Sequence, residues 1–557
     1  MAIAELQSES SVEAVKRASG RLRGNLAAEL ANDAANMSNE SEQILKFHGI
    51  YSQDNRDVRR ERALAGESLE YIFMIRVVVP GGRLTPAQWL GLDEMASALS
   101  DGTIRLTTRQ AVQFHGVLKG SLQQLASALD QQFLSSFGGC GDVVRNVVTC
   151  PQLHLDSGDD KLENIADDLR RAFRSTSEAH WEIFVNGEKA ASREDSEERP
   201  FYGDTYLPRK FKIAVAHPNE NCVDVFAQDI GLIPVDDDER GAGFVVLVGG
   251  GLGRSYAKDD TFARLADPLT FVPREEVQEV IAAIITTYRD LGNRYDRQRA
   301  RMKYLVADWG LDAFRREVEV RLGRTLDPAS APPAYRGADD HLGWREAPDG
   351  AWQLGLRVGA GRVRDIENGS SLRSALREIA ARGTETFVIT PQQDIIVGDI
   401  AASERSAIQA IVAAHGVREL PELGNVERSA LACPALPTCS QALAEAERRL
   451  PELVSGLEDA LKTRSLQRRP LQLRMTGCPN GCARPALAEV GVVGRTKSTY
   501  DVYVGGGPSG TRLASIYREK VKLEDIPEVL SPLLDRWASE GEPDEAFGDF
   551  VVRVGEI

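Results

Sequence analysis

Cys433-Pro434-Ala435-Leu436-Pro437-Thr438-Cys439 and, after a helical connection, Thr476-Gly477-Cys478-Pro479-Asn480-Gly481-Cys482 carry four of the chain's seven cysteines. Each knot contains proline or glycine, residues that set tight backbone turns. Four thiolates converging on one point are how proteins hold an iron–sulfur cluster. The spacings are C-x5-C and C-x3-C. Zinc sites favour pairs two to four residues apart at both ends, so the first pair is wide for a zinc knuckle. Spacing alone leaves three readings: a cluster, a zinc site, or four unrelated buried thiols.

The rest of the chain bounds these readings. Its 557 residues exceed one hydrophobic core, so several domains are expected. A 42% hydrophobic and 27% charged composition is ordinary for a soluble globular protein. No apolar run is long enough for a membrane helix. Met1 to Gly20 is polar, which predicts no secretory signal. An odd cysteine count without a disulfide framework suits a reduced, cytoplasmic setting. The net charge of −16 argues against sequence-independent nucleic-acid binding. A small anionic substrate would need a local basic pocket.

The chain is duplicated. In the first half, Tyr71–Val79 reads as a buried strand, Thr85 caps a helix through Leu99, Thr103–Thr107 and Ala111–Leu118 read as paired strands, and Ser121–Phe133 as a helix. This is a ferredoxin-like split unit. The same order recurs at Trp352–Val358, Ser370–Ala381, Thr386–Thr390, Asp394–Val397 and Ser403–His415. Cys150 aligns with Cys433 at an offset of 283 (433 − 150), and Arg109-Gln110 with Gln392-Gln393 at the same offset. His217-Pro218-Asn219 aligns with Cys478-Pro479-Asn480, and Gly249-Gly250-Gly251 with Gly505-Gly506-Gly507. If the copies pack about a pseudo-two-fold axis, cysteines approach the centre from one side. Arg145, Lys210 and Lys212 approach it from the other.

Arg105, Thr107 and Arg109 alternate, so on a strand they share one face. Gln113 and His115 continue the period on the next strand. Such a face is either in solvent or against a polyanion. His115 reads as a hydrogen-bonded core histidine or a metal ligand. Lys210-Phe211-Lys212 has the pattern of a surface strand. Gly505-x-Gly507-x-x-Gly510 fits a dinucleotide fingerprint formally, but no βαβ unit follows and the first copy lacks the third glycine, so it is rejected. Leu22, Leu26, Ala27 and Leu30 have helical spacing, consistent with a helix on the body or a loosely held arm. Lys16-Arg17 and Arg21-Arg23 read as a solvated face. Cys140, Cys150 and Cys222 read as buried inert thiols.

The two knots, with F-H-G-I-Y at 47–51, T-I-R-L-T-T-R-Q at 103–110, Q-F-H-G at 113–116, L-P-R-K-F-K at 207–212, L-V-G-G-G-L at 247–252 and F-G-D-F at 547–550, resemble the sulfite/nitrite reductase family, and within it the hemoproteins of assimilatory sulfite reduction. The resemblance runs from about residue 40 to the end. It implies an α+β fold: duplicated ferredoxin-like units plus two mixed α/β siroheme-binding domains around a pseudo-two-fold axis. The implied parts are an N-terminal arm at 1–65, half-domains at 66–137 and 331–420, and reductase domains at 138–330 and 421–557. It implies a 4Fe–4S cluster on Cys433, Cys439, Cys478 and Cys482, with Cys482 also ligating the iron of siroheme. It places Arg105, Thr107, Arg109, Gln113, His115, Gln393, Thr476 and Asn480 against siroheme. Arg76, Arg145, Lys210 and Lys212 become the catalytic cations that bind sulfite. Its nitrite-reducing members generally carry Asn in place of Lys212, which favours sulfite over nitrite. The donor is either an NADPH-oxidising flavoprotein subunit or a ferredoxin, with no nucleic acid or membrane partner. Arg297–Lys303 and Arg468-Arg469 are the basic stretches a ferredoxin could use, each otherwise a solvated charge run. A colourless zinc-binding scaffold is the alternative from a different class.

Overall fold

The computed structural model describes residues 8–151, 162–175, 182–185, 188–192, 201–335 and 337–556. In the first half the strands are β1 (Ile50–Asp54), β2 (Tyr71–Val77), β3 (Arg83–Leu84), β4 (Ile104–Leu106), β5 (Val112–Val117) and β6 (Val148–Thr149). A hairpin of β7 (Glu182–Val185) and β8 (Glu188–Ser192) follows, then β9 (Ile213–Val215), β10 (Ile230–Asp237), β11 (Gly241–Val248) and β12 (Asp267–Pro273). The second half holds β13 (Gly343–Glu346), β14 (Trp352–Leu356), β15 (Arg362–Val363), β16 (Thr386–Ile389), β17 (Ile395–Ile400), β18 (Leu431–Ala432), β19 (Leu473–Thr476), β20 (Val490–Gly494), β21 (Thr499–Val504) and β22 (Ser515–Lys522).

Four five-stranded sheets result, ordered β1-β2-β5-β4-β15, β12-β11-β10-β9-β6, β13-β14-β17-β16-β3 and β18-β19-β20-β21-β22. The first and third are antiparallel ferredoxin-like sheets; the other two mix parallel and antiparallel pairs. This is the α+β duplication that the sequence implies. The ferredoxin-like halves exchange strands. β15 lies beside β4, with Arg362 opposite Arg105, and β3 lies beside β16, with Leu84 opposite Phe387. Each half lends two residues to the other, the reciprocal pattern a pseudo-two-fold requires. Helix α1 (Pro86–Leu99) is closed at its start by a Thr85–Gln88 capping box. It packs on α2 (Leu372–Ala380) from the other half, where Arg373 and Arg377 both reach the buried Asp93 at 2.5 Å.

The duplication extends to single turns. Thr107 Oγ1 accepts the N–H groups of Arg109 and Ala111, while Thr390 Oγ1 accepts those of Gln392 and Asp394. Gln110 and Gln393 both adopt positive φ, at 51° and 68°. This corrects the expectation for Arg105-Thr107-Arg109. The strand ends at Leu106, so Arg109 sits in a turn and does not share the strand face of Arg105. In the reductase sheets Ile213 pairs with Ile230, and Leu473 with Val490. Both pairs are separated by 260 (473 − 213 and 490 − 230). That register sets His217 on Gly477, one residue away from the sequence match with Cys478, and sets Cys222 on Cys482.

Two basic stretches read as solvated are so only in part: Arg17, Arg21 and Arg23 are exposed, whereas Lys16, Arg301 and Lys303 are buried and Arg297 is half-buried. Lys16 lies 2.6 Å from Glu13 and 3.0 Å from Asp142. Arg297 reaches Asp142 at 2.9 Å, Arg301 reaches Asp229 at 2.8 Å, and Lys303 donates to the carbonyls of Gly251 and Gly253. Arg297–Lys303 therefore braces the interior and offers no donor-docking patch. Leu22 and Leu26 are also buried, so the N-terminal segment lies on the body.

Candidate active site

The cysteine knots meet at a glycine. Gly477 N–H points at Cys433 Sγ, 3.4 Å away. A Cβ on Gly477 would stand 2.5 Å from Ala444 O and 2.6 Å from the Ala435 side chain, so no other residue fits between the knots. β18 and β19 lie parallel and deliver Cys433 beside the strand that leads to Cys478. Cys433 and Cys478 are buried, Cys439 is half-buried and Cys482 is exposed. Burial and the Cys482 charge push the Cys433 and Cys439 thiols up, and Cys478 up to about 12. Thiolates crowded in this way repel one another until a metal centre takes their charge. The four residues fit a cluster.

The first half supplies cations. The β4–β5 turn reaches the second knot, where Thr108 Oγ1 donates to Cys482 O at 3.1 Å. Arg109 follows. It donates to Gln228 Oε1 at 2.9 Å and Ile213 O at 3.2 Å, and its buried Nε has no partner. Burial and Arg145 lower its pKa to about 9. Arg145 is buried and held by Gly141 O and Gly139 O. Arg76, on β2, bonds Gln113 across the sheet with the amide oxygen turned to its guanidinium, 2.6 Å from Nη2. Burial opposes its charge, but Cys140, Tyr51 and Cys482 outweigh that and raise its pKa.

Lys210 and Lys212 flank Phe211, which is buried in the core. Both lysines are half-buried, and neither lies in a strand. Among the described residues no acceptor engages either ammonium. Burial, with Arg209 and Arg301, lowers Lys210 to about 7. Burial and Lys210 push Lys212 well down. Cys482 is among the charges that act on both Arg76 and Lys210.

Further buried polar atoms are orphaned near this centre: both ring nitrogens of His115, Gln393 Oε1 and Thr476 Oγ1. Burial, Arg362 and Arg105 hold His115 neutral. Unpaired buried groups cost stability unless a ligand satisfies them. Partnerless cations and the orphaned His115 and Thr476 groups suit an acidic, polycarboxylate macrocycle such as siroheme. Asn480 is exposed beside this region, where a Cβ on Gly253 would come 3.1 Å from its carbonyl.

Arg105 is the exception. It is buried against Glu447 and donates to Ala432 O at 2.8 Å, next to Cys433. Its guanidinium braces the first knot and is not left open to a cofactor carboxylate. Cβ atoms on Gly250 and Gly506 would come 2.3 Å from Phe226 O and Ala488 O, so these glycines pack on the chain's own turns. Sequence reasoning missed Tyr51 and Cys140. Cys140 Sγ lies 2.8 Å from Arg76 Nη1, so this thiol is a neighbour of the site and not an inert core residue.

Residues 140–326 and 423–556 match the Nitrite and sulphite reductase 4Fe-4S domain, and residues 66–132 match the Nitrite/Sulfite reductase ferredoxin-like half domain. The chain belongs to the nitrite and sulphite reductase family. It is 43% identical over 549 residues to a protein of Methylorubrum extorquens named sulfite reductase (NADPH) hemoprotein beta-component, covering 98% of this chain and 89% of that relative. A Staphylococcus saprophyticus protein of the same name is 42% identical over 547 residues, covering 98% and 96%. The solved structure of Mycobacterium tuberculosis NirA superposes with a TM-score of 0.79 at 25% identity, covering 100% of this chain and 98% of that one. No helix among the described residues is long and apolar enough to cross a membrane.

Proposed function

We propose that this chain is a sulfite reductase hemoprotein that takes six electrons to convert sulfite to sulfide and water. The observation that carries it is the meeting of the two halves at Cys482, whose carbonyl accepts the hydroxyl of Thr108, one residue before Arg109, at 3.1 Å. Cys433, Cys439, Cys478 and Cys482 would hold a 4Fe–4S cluster, and Cys482 would also serve siroheme. Bound there, the two cofactors would supply the electrons for sulfite reduction. Arg109, Thr107, Gln113, His115, Gln393, Thr476 and Asn480 hold the siroheme. Arg105 supports the set by bracing the first knot.

Arg76, Arg145, Lys210 and Lys212 bind the sulfite oxygens. The arginines stay charged and orient the anion. Lys210, lowered to about 7, suits a proton donor to the departing oxygens. The chain divides at 1–65, 66–137, 138–330, 331–420 and 421–557. The NADPH in the name shared by its relatives supports an NADPH-oxidising flavoprotein as donor in preference to a ferredoxin.

The test is the visible spectrum and iron content of the purified chain, followed by anaerobic sulfite turnover. The expected result is chlorin bands, four cluster irons and one siroheme iron, and sulfide from NADPH only when the flavoprotein is added. A colourless zinc protein would overturn the proposal. Turnover only with reduced ferredoxin would overturn the donor.

A further inference from the structure

Cys150, Glu220, Cys222 and His341 bring one donor atom each within 4.8 Å of all the others. None of them belongs to the siroheme and cluster site. Cys150, Cys222 and His341 are 3%, 1% and 2% exposed. Cys150 Sγ lies 2.6 Å from Glu220 Oε1, and His341 Nε2 lies 3.3 Å from the same oxygen. Buried against two thiols and a carboxylate, the imidazole has Glu220 and Cys150 as its partners and, among the described residues, no hydrogen-bond partner outside this group.

The duplication shows where this cluster comes from. β6 and β9 pair in parallel with Val148 beside Ala214, as β18 and β19 do with Leu431 beside Arg474. Cys150 and Cys433 each follow the first strand of their pair by one residue. The 260-residue register then sets Cys222 on Cys482 and Pro218 on Cys478. The first half thus keeps two cysteines at the framework positions of two cluster ligands and has lost a third to proline. Four thiolates are needed for a four-iron cluster, so that group is excluded. His341, on the connection into β13, and Glu220, on the loop after β9, complete a different donor set.

The geometry points to a closed structural zinc(II) site formed by Cys150, Cys222, His341 and Glu220. Thiolate sulfur, imidazole nitrogen and carboxylate oxygen are all zinc ligands, and four of them match the tetrahedral coordination of a structural site. Zinc places such donors roughly 3.3–3.8 Å apart, a small rotamer adjustment from the observed spread. Glu220 Oε2 accepts the Asp339 N–H at 3.0 Å, which fixes the carboxylate and leaves Oε1 to the metal. Binding releases the two thiol protons to solvent. The ion staples the connection between the halves to the first reductase domain. It takes no part in sulfite chemistry.

The test uses untagged holoprotein from zinc-supplemented cells. Zinc and iron are counted together, and zinc-edge X-ray absorption reads the ligands. The expected result is one zinc per chain beside a full iron complement, with two sulfur and two nitrogen or oxygen neighbours. Cys222→Ser and His341→Ala each lose at least tenfold of the zinc while chlorin absorbance and iron are unchanged. If a variant does not fold, the absorption spectrum of the wild-type protein still decides. Zinc-free wild-type protein, zinc bound by four sulfurs with matching iron loss, zinc retained in Cys222→Ser, or a Cys150–Cys222 disulfide would each overturn the site.

Discussion

Thr108 of the first half donates its hydroxyl to the carbonyl of Cys482 in the second, at 3.1 Å. The turn that carries Arg109 is thereby pinned to the cysteine proposed to serve both cofactors. One such bond contributes on the order of 1 kcal/mol. Thr108→Val should loosen siroheme about fivefold and leave cluster iron in place. The chlorin-to-iron ratio after extended dilution measures this, and an unchanged ratio would show that the pin is idle.

Lys212→Asn removes a cation from the site proposed for a doubly charged anion. Its kcat/KM should fall at least tenfold more for sulfite than for nitrite. Equal losses on the two substrates would remove Lys212 as a discriminating residue.

Glu447 sits between Arg105 and Arg362, at 2.7 Å from Arg362 Nε. Burial favours its protonation, but Arg105 and Arg362 outweigh that and bring its pKa to about 2. A depressed carboxyl contributes stability above its unfolded pKa and loses it as pH falls through the folded one. Glu447→Gln should cost roughly 3–5 kcal/mol at neutral pH by stranding two buried arginines. The penalty should shrink as the pH falls from about 4.3 towards 2. Urea unfolding across that range checks it; a penalty independent of pH would contradict the pairing.

Lys210 destabilises where Glu447 stabilises, although both make stability rise with pH. Its folded pKa of about 7 lies below the ordinary lysine value. Between the two values the unfolded chain holds the proton and the folded chain does not, so stability rises with pH. In siroheme-free protein Lys210→Met should stabilise at pH 6.5, and the gain should shrink by on the order of 1–3 kcal/mol by pH 9.5. A gain that stays constant with pH would place the ammonium in solvent.

Much of this was legible because it is local. The knots, the Thr85 cap and the recurring strand–helix order need only neighbouring residues. Arg105-x-Thr-x-Arg109 shows the limit, because alternation does not say that Thr107 Oγ1 will close a turn on the N–H groups of Arg109 and Ala111. The exchange of β3 and β15 and the burial of Lys16 and Arg297 depend on partners more than 100 residues away, which spacing does not encode. The one-residue shift that hid the match of Cys222 with Cys482 came from reading Pro218-Asn219 against Pro479-Asn480. Strand register, not the dipeptide, sets the equivalence.

The central claim is that one sulfur serves two cofactors, and the iron and chlorin content of Cys482→Ser tests it most directly. The account predicts loss of both the siroheme bands and the cluster iron in a chain that still folds. A full complement of iron with undiminished chlorin absorbance in that variant would contradict it.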